Sequence, residues 1–279
     1  MGAADIVPGV SGGTIALVLG IYTHLIDTVR DGAAVLGAAV KGDFSGVAEK
    51  FKAVDWAFLL PLLLGIGVAI IALSHTIERL LEDYPVRMAA AFFGLVVGSI
   101  VVTAQRLKLD ATRAATLVGV AIVAFFVLGL RSGPVTDPSL IYVFLAGAIA
   151  ICAMILPGIS GSFLLLMLGL YDTVLGAVSD RDLAIIVVFG LGAVLGLAGF
   201  STVLHWALHH HHQLVLAGLV GLMLGSLRVL WPWPNSTDSM GMSLPSAPRG
   251  QGHRPRSDPS IRPARPARTS GRGVAGGNG

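Results

Sequence analysis

The sequence has little charge, few aromatic residues and a single cysteine. Charged residues make up 13% of the 279 residues and aromatic residues 7%, whereas apolar residues make up 54%. The charged share is about half that of an average soluble domain. Because one cysteine forms no disulfide within its own chain, Cys152 is interpreted as a small buried apolar residue. These shortages exclude an ordinary soluble domain and a disulfide-stabilised secreted one.

Long apolar segments take the place of the missing charge. Several of them reach the roughly 20 residues with which a helix crosses the hydrocarbon core of a bilayer. They lie at about 56–77, 88–105, 114–130, 139–156, 183–208 and 213–231. The sequence therefore predicts an all-α, multi-pass membrane protein.

One seventeen-residue segment occurs twice, at 6–22 and at 155–171, with nine identities. Both copies contain the frame Pro-Gly-x-Ser-Gly followed by an apolar run, glycine and tyrosine. Proline and glycine interrupt a helix, and irregular backbone is tolerated at membrane depth only where it is buried in protein or lines a polar cavity. Two such breaks at matching places indicate the binding site of a transporter.

The duplication extends past the motif and predicts two repeats. The first repeat, 1–131, has its hairpin motif at 6–30 and spans at 56–82, 87–105 and 113–131. The second repeat, 139–233, has its hairpin at 139–178 and spans at 183–208 and 213–231. Because each unit has an odd number of spans, three, the second unit enters the membrane from the opposite side to the first. This predicts an inverted repeat. Each half then holds a re-entrant helical hairpin broken at PGxSG together with transmembrane helices.

The two ends of the chain differ from this scheme. Only Met1 to Asp5 precede the first motif, and the second repeat has one span fewer than the first. We therefore expect the sequence to be a truncated or frameshifted version of a longer protein. Residues 234–279 are rich in proline, glycine, serine and arginine, a composition that predicts a disordered tail. We interpret this tail as having no role, rather than as a binder of lipid headgroups or nucleic acid.

The residues of the motif suit an anion such as phosphate. A helix that begins at serine and glycine presents free N–H groups at the positive end of its dipole, and hydroxyls add further donors. The alternative is structural, with each serine capping its own helix after a proline kink. The predicted substrate-binding residues are Pro8, Gly9, Ser11, Gly12, Gly13, Thr14, Pro157, Gly158, Ser160, Gly161 and Ser162.

Few ionisable residues lie in the apolar sequence. Asp5 would repel phosphate, so a role in coupling transport to a proton or a sodium ion suits it better than direct binding. His75 and His205 are interpreted as residues that hydrogen-bond between helices rather than as proton relays. The run His209–His212 is interpreted as an exposed polar turn rather than a metal site. No catalytic residue, metal or cofactor is predicted, and the oligomeric state is left open.

Four segments carry a resemblance to a known family. MGAADIVPGVSGGTIALVLGIY, MILPGISGSFLLLMLGLY, FFGLVVGSI and VGLMLGSLRVLWPW are similar to parts of the DUF368 family of bacterial membrane proteins, over roughly residues 1–233. The resemblance implies a multi-pass protein of the bacterial plasma membrane that translocates polyprenyl phosphate, such as undecaprenyl phosphate. It implies that PGVSGGT and PGISGS contact this lipid carrier of cell-envelope synthesis. Family members usually have more chain before Met1 and another span after the WPW segment.

Two other functions remain as alternatives. The same helix N-termini would serve a transporter of a small anionic solute equally well. An undecaprenyl-pyrophosphate phosphatase also uses paired serine- and glycine-rich breaks, but Gly161 stands where its motif has an arginine. Phosphoryl transfer without a cation on the phosphate is poorly stabilised. The sequence therefore favours a transporter over an enzyme.

Overall fold

The computed structural model describes residues 1–6, 10–130, 133, 135 and 137–233. Over these residues the chain is all-α, as the sequence predicts, with twelve helices and no strand. The helices are α1 Gly2–Asp5, α2 Gly12–Leu19, α3 Tyr22–Val40, α4 Phe44–Ala53, α5 Trp56–Asp83, α6 Pro85–Ala104, α7 Ala111–Val127, α8 Leu140–Ile155, α9 Gly161–Met167, α10 Tyr171–Asp180, α11 Leu183–His210 and α12 His212–Ser226. The predictions for Pro8, Gly9 and the 234–279 tail lie outside the described residues.

Three helices are long and apolar enough to cross a membrane. They are α5 and α11, with 28 residues each, and α6, with 20. The short helices α9 and α10 also meet this criterion together, and they bend by 108° at the residues between them. The helices α7, α8 and α12 are apolar but shorter. These lengths confirm the prediction of a membrane protein.

Glycines bring the helices of two pairs into close contact. In the pair of α12 and α7, Gly221 packs on the backbone carbonyl of Leu117. In the pair of α11 and α8, Gly192 packs on the carbonyl of Phe144, and a Cβ at Gly196 would lie 2.6 Å from the Cα of Ala148. Helices in membranes associate largely through such close packing of small residues. A side chain at these glycines would therefore push the paired helices apart.

The helix that follows the first motif lies inside the protein. Val10 and Ala16 are fully buried, together with Val96 of α6 and Met223 of α12, in the largest apolar cluster of the described residues. Val10 and Ser11, which directly precede α2, are thus shielded from lipid by protein, which is the condition for non-helical backbone in a bilayer. This burial places the N-terminus of α2 where only groups of the protein or a ligand can reach it.

The polar stretch before α5 is helical for most of its length. The helix α3 continues to Val40, and the helix α4 begins after Asp43, whose carboxylate accepts hydrogen bonds from the Gly46 N–H and the Ser45 hydroxyl at 2.9 Å each. These hydrogen bonds hold the pKa of the Asp43 carboxyl below its ordinary value, the backbone N–H of Gly46 contributing most. Asp43 therefore acts as the N-cap that starts α4.

The histidine run is exposed as predicted, but most of it is not a turn. The helix α11 continues to His210 and α12 begins at His212, so only His211 separates them. Nδ1 of His209 and Nδ1 of His210 lie 3.0 and 2.9 Å from the carbonyls one turn earlier, of His205 and Trp206. The backbone ladder of α11 continues past both residues, since the His211 N–H still donates to the Ala207 carbonyl. The prediction of a polar turn is wrong for His209 and His210 for this reason.

Candidate functional site

Ser11 begins α2 and also reaches the second motif. Its Oγ accepts a hydrogen bond from the Gly13 N–H at 3.0 Å, the usual bond of an N-cap serine. The same hydroxyl donates to the carbonyl of Met154 at 3.1 Å, near the end of α8. Ser11 is almost fully buried. One side chain thus caps the first helix and connects the two copies of the motif.

Asp5 places a carboxylate on the N-terminus of the same helix. Its Oδ1 accepts a hydrogen bond from the Gly12 N–H at 2.6 Å. The Thr14 N–H donates to the Ser11 carbonyl at 2.9 Å, and the Gly13 N–H is held by the serine hydroxyl. Every N–H of this first turn therefore has a partner within the chain. A phosphate reaches the Gly12 N–H only after Asp5 has left it.

Thr14 and Tyr22 bind the backbone of the second motif. The Thr14 Oγ1 accepts from the Gly158 N–H at 2.9 Å, and the Tyr22 hydroxyl donates to the Ile155 carbonyl at 3.3 Å. Gly158 has a φ of +86°, a conformation that side chains with a Cβ rarely adopt. A Cβ at Gly158 would also lie 2.8 Å from Ser226 Oγ. The backbone after α8 is thus enclosed by α2 on one side and α12 on the other.

The hydroxyls of the second motif bind each other. Ser160 precedes α9, but its side chain makes no capping bond to that helix. Its Oγ instead lies 2.8 Å from the Oγ of Ser162, and either hydroxyl can donate. This pair is therefore less constrained than Ser11, because rotation of two hydroxyls suffices to offer both to a ligand.

The two motifs meet at one cavity of about 130 Å³. A volume of this size holds several water molecules. Among the described residues that line it, Asp5 is the only charged one, and Met154 and Ser162 are also exposed at the protein surface. The lining residues are Asp5, Ser11, Met154, Ile159, Ser160, Gly161 and Ser162.

The predicted site residues fall into three groups according to where they lie relative to the cavity. Ser11, Ser160, Gly161, Ser162 and the predicted coupling residue Asp5 line the cavity. The other described residues of the two motifs lie beside it, as buried parts of the support, namely Gly12, Gly13, Thr14, Pro157 and Gly158. The remaining two, Pro8 and Gly9, belong to the residues that the structure does not describe.

Sequence reasoning missed the roles of three residues at this site. Met154 contributes a carbonyl and part of the cavity wall, and Ile159 contributes an apolar wall. Neither carried a signal, since both are ordinary apolar residues of an apolar run. Tyr22 did carry one, because tyrosine is part of the repeated frame and stands again at Tyr171.

The sequence matches one family model and two named relatives. The VCA0040-like family, described as undecaprenyl phosphate translocase-like, matches residues 1–244. A polyprenyl-phosphate transporter of Vibrio cholerae serotype O1 is 41% identical over 250 residues, 88% of this chain and 80% of that protein. A polyprenyl-phosphate transporter of Staphylococcus aureus is 32% identical over 254 residues, 83% of each chain. No solved structure matches the chain.

Proposed function

We propose that this chain, which belongs to the undecaprenyl phosphate translocase-like family, carries polyprenyl phosphate across the bacterial plasma membrane. The observation that supports this function most directly is the single cavity at which serines of both repeated motifs meet. Both relatives are named as transporters of this lipid and neither as a phosphatase. The chain is accordingly a multi-pass transporter rather than an enzyme.

The hydroxyls of the cavity bind the phosphate headgroup. Ser160 and Ser162 rotate away from each other and donate to phosphate oxygens, and Ser11 joins them from the first motif. Hydrogen bonds to a charged acceptor are roughly twice as strong as neutral ones, and they offset part of the cost of taking phosphate out of water. The prenyl chain stays in lipid, and the exposed edge at Met154 and Ser162 lets the headgroup enter alone.

Asp5 couples binding to an ion. Its carboxylate holds the Gly12 N–H, and it would repel a phosphate placed in the same cavity. A proton or a sodium ion on Asp5 removes this repulsion and weakens the hydrogen bond from the Gly12 N–H, so the phosphate can compete with the side chain for this donor. In this scheme the Asp5 carboxylate and the phosphate accept the Gly12 N–H hydrogen bond in turn. Transport of the lipid is thereby coupled to transport of the ion.

Alternating access requires the two motifs to open toward opposite sides. We infer an inverted repeat in which α1–α2 and α8–α9 form two re-entrant hairpins that meet at the cavity. Two features support this arrangement: α2 and α9 both begin directly after the motif serines, and the two motifs bind each other through Ser11 and Thr14. Small rotations of one repeat against the other then expose the cavity to either leaflet.

Reconstituted vesicles test the function. The whole chain is placed in phosphatidylethanolamine–phosphatidylglycerol vesicles that contain undecaprenyl phosphate, and a membrane-impermeant phosphatase is added outside. Without transport, hydrolysis stops when the outer leaflet is exhausted. With transport, under a proton or sodium gradient, hydrolysis continues into the lipid of the inner leaflet. The double variant Ser11→Ala, Ser160→Ala is expected to slow this second phase by about tenfold or more, because it removes two donors to a charged group.

The matched control is Ser179→Ala in α10, an exposed serine whose hydroxyl donates to the Leu175 carbonyl of the same helix. It is expected to transport like the native chain. Equal rates of inner-leaflet lipid hydrolysis for the control and the double variant would contradict the assigned site. If the vesicles instead release inorganic phosphate trapped inside them, and hydrolysis of the lipid does not continue, the substrate is a small anion rather than the lipid.

A further inference from the structure

Three potential metal ligands converge between α3 and α11, away from the cavity of the two motifs. Asp27 lies in α3, and His205 and His209 lie one turn apart in α11. One ligand atom from each side chain can be chosen so that all three lie within 4.8 Å of one another. The His205 Nδ1 is 2.7 Å from one carboxylate oxygen of Asp27, and the His209 Nε2 is 3.9 Å from the other. The contact with Asp27 confirms the prediction that His205 hydrogen-bonds between helices, whereas no sequence pattern indicates the cluster.

The hydrogen bond of the His209 Nδ1 fixes where the lone pair of its Nε2 points. Its Nδ1 lies 3.0 Å from the carbonyl oxygen of His205, and only a protonated nitrogen can donate to that oxygen. In the neutral ring the Nε2 is then an acceptor, and it faces the Asp27 oxygen, which is also an acceptor, at 3.9 Å. A cation between these atoms satisfies both of them. A hydrogen bond of one ring nitrogen to a carbonyl is also the usual way in which a metal-binding histidine is oriented.

We propose that Asp27, His205 and His209 form a zinc site. Two imidazoles and one carboxylate suit Zn²⁺, which binds such ligands at about 2.0–2.2 Å and often leaves a fourth position to water. Two ligand atoms at this distance in a tetrahedral site lie about 3.4 Å apart. The His205–Asp27 separation of 2.7 Å must therefore lengthen and the His209–Asp27 separation of 3.9 Å must shorten, each by less than about 1 Å. Zinc binding through the His205 Nδ1 requires the neutral ring to carry its proton on Nε2, so that Nδ1 offers its lone pair to the ion.

An ion can reach the site because each side chain is partly exposed. The exposed fractions are 26% for His205, 34% for Asp27 and 46% for His209. The ion joins α3, which follows the helix of the first motif, to α11 of the second repeat. Zinc would therefore hold together two helices from different halves of the chain. This inference rests on the geometry of the cluster and does not depend on the proposed transport function.

Zinc titration of the purified full chain tests the site. The protein carries a tag without histidine, and isothermal titration calorimetry in detergent micelles measures affinity and stoichiometry. Cobalt(II), which gives visible absorption bands in tetrahedral sites, is titrated in parallel. We expect one tight site per chain in the native protein. We expect Asp27→Asn and His205→Asn each to weaken zinc binding by more than about tenfold and to abolish the cobalt bands.

The neighbouring histidines supply the matched control. The triple variant His210→Gln, His211→Gln, His212→Gln removes the rest of the run and leaves the cluster intact. It is expected to keep the tight site and the cobalt spectrum. Loss of binding in this variant, together with its retention in Asp27→Asn, would overturn the proposal and assign the metal to the run. Absence of tight binding in the native chain would overturn it as well.

A folding control keeps the ligand variants interpretable. Zinc is expected to raise the unfolding temperature of the native chain and of the triple variant, since an ion that binds only the folded state stabilises it. The same addition is expected to leave Asp27→Asn unchanged. Both ligand variants must elute as folded protein in size-exclusion chromatography. If a ligand variant does not fold, the test is the zinc-induced rise in unfolding temperature, compared between the native chain and the triple variant.

Discussion

Ser11 and Ser160 occupy the same place in the two repeated motifs, but only Ser11 caps its own helix. The Ser11 hydroxyl binds the Gly13 N–H and the Met154 carbonyl, and Asp5 occupies the next N–H. The Ser160 hydroxyl binds only Ser162, at the wall of the cavity. The first copy of the motif is therefore closed by groups of the protein, whereas the second offers hydroxyls that are readily released.

The two copies of one motif therefore have different roles in this protein. Thr14 of the first copy accepts the Gly158 N–H of the second, so the first copy supports the backbone of the second. The second copy in turn supplies two of the four polar side chains that line the cavity among the described residues, Ser160 and Ser162. We expect substitutions in the supporting groups to act on stability, and substitutions in the cavity wall to act on transport.

The largest expected effect on stability comes from Gly158→Ala. Its left-handed backbone alone makes a Cβ unfavourable by about 1–2 kcal/mol, and the Cβ would press on Ser226 and on the backbone of Met223. The measurement is thermal unfolding in detergent micelles, followed by tryptophan fluorescence. Gly12→Ala in the first copy should destabilise the protein less, because its Cβ meets the end of the Asp5 side chain, which can move. Equal losses for the two variants would show that the copies are equally constrained.

An intermediate effect on stability is expected for Ser11→Ala, and almost none for Ser160→Ala. Loss of an N-cap serine costs about 1 kcal/mol, whereas loss of the Ser160 hydroxyl should cost less, because its partner Ser162 is exposed and can bond to water instead. The same unfolding assay compares the two variants. Both are expected to slow hydrolysis of inner-leaflet lipid in the vesicle assay. A destabilised Ser160→Ala would mean that the second hydroxyl is structural rather than available to a ligand.

The smallest effect on stability and a specific effect on coupling are expected for Asp5→Asn. The amide oxygen still accepts from the Gly12 N–H, so the helix keeps its cap. The side chain no longer takes up a proton, and it binds a cation poorly. Transport by the variant should therefore lose its dependence on the gradient that drives the native chain. A native-like response to the gradient would remove Asp5 from the coupling step.

Much of the fold was predictable because it depends on composition and local sequence. Apolar runs long enough to cross a bilayer predict helices such as α5 and α11. The repeated frame singled out Ser11 and Ser160, which now line one cavity. The prediction of a turn is wrong for His209 and His210 because the end of an exposed helix also carries polar side chains, so polarity alone does not mark a turn.

The sequence by itself determined the all-helical membrane character, the duplication and the hydroxyl groups of the motif, because these follow from residue type and spacing. Only the tertiary structure decided which groups face each other. Thr14 and Gly158 are 144 positions apart, and Asp27 and His205 are 178 apart. Hydrogen bonds over such separations arise when packed helices bring distant segments together, and no local pattern encodes them. The partner of each N–H, carboxylate and imidazole is therefore a property of the packing rather than of the motif.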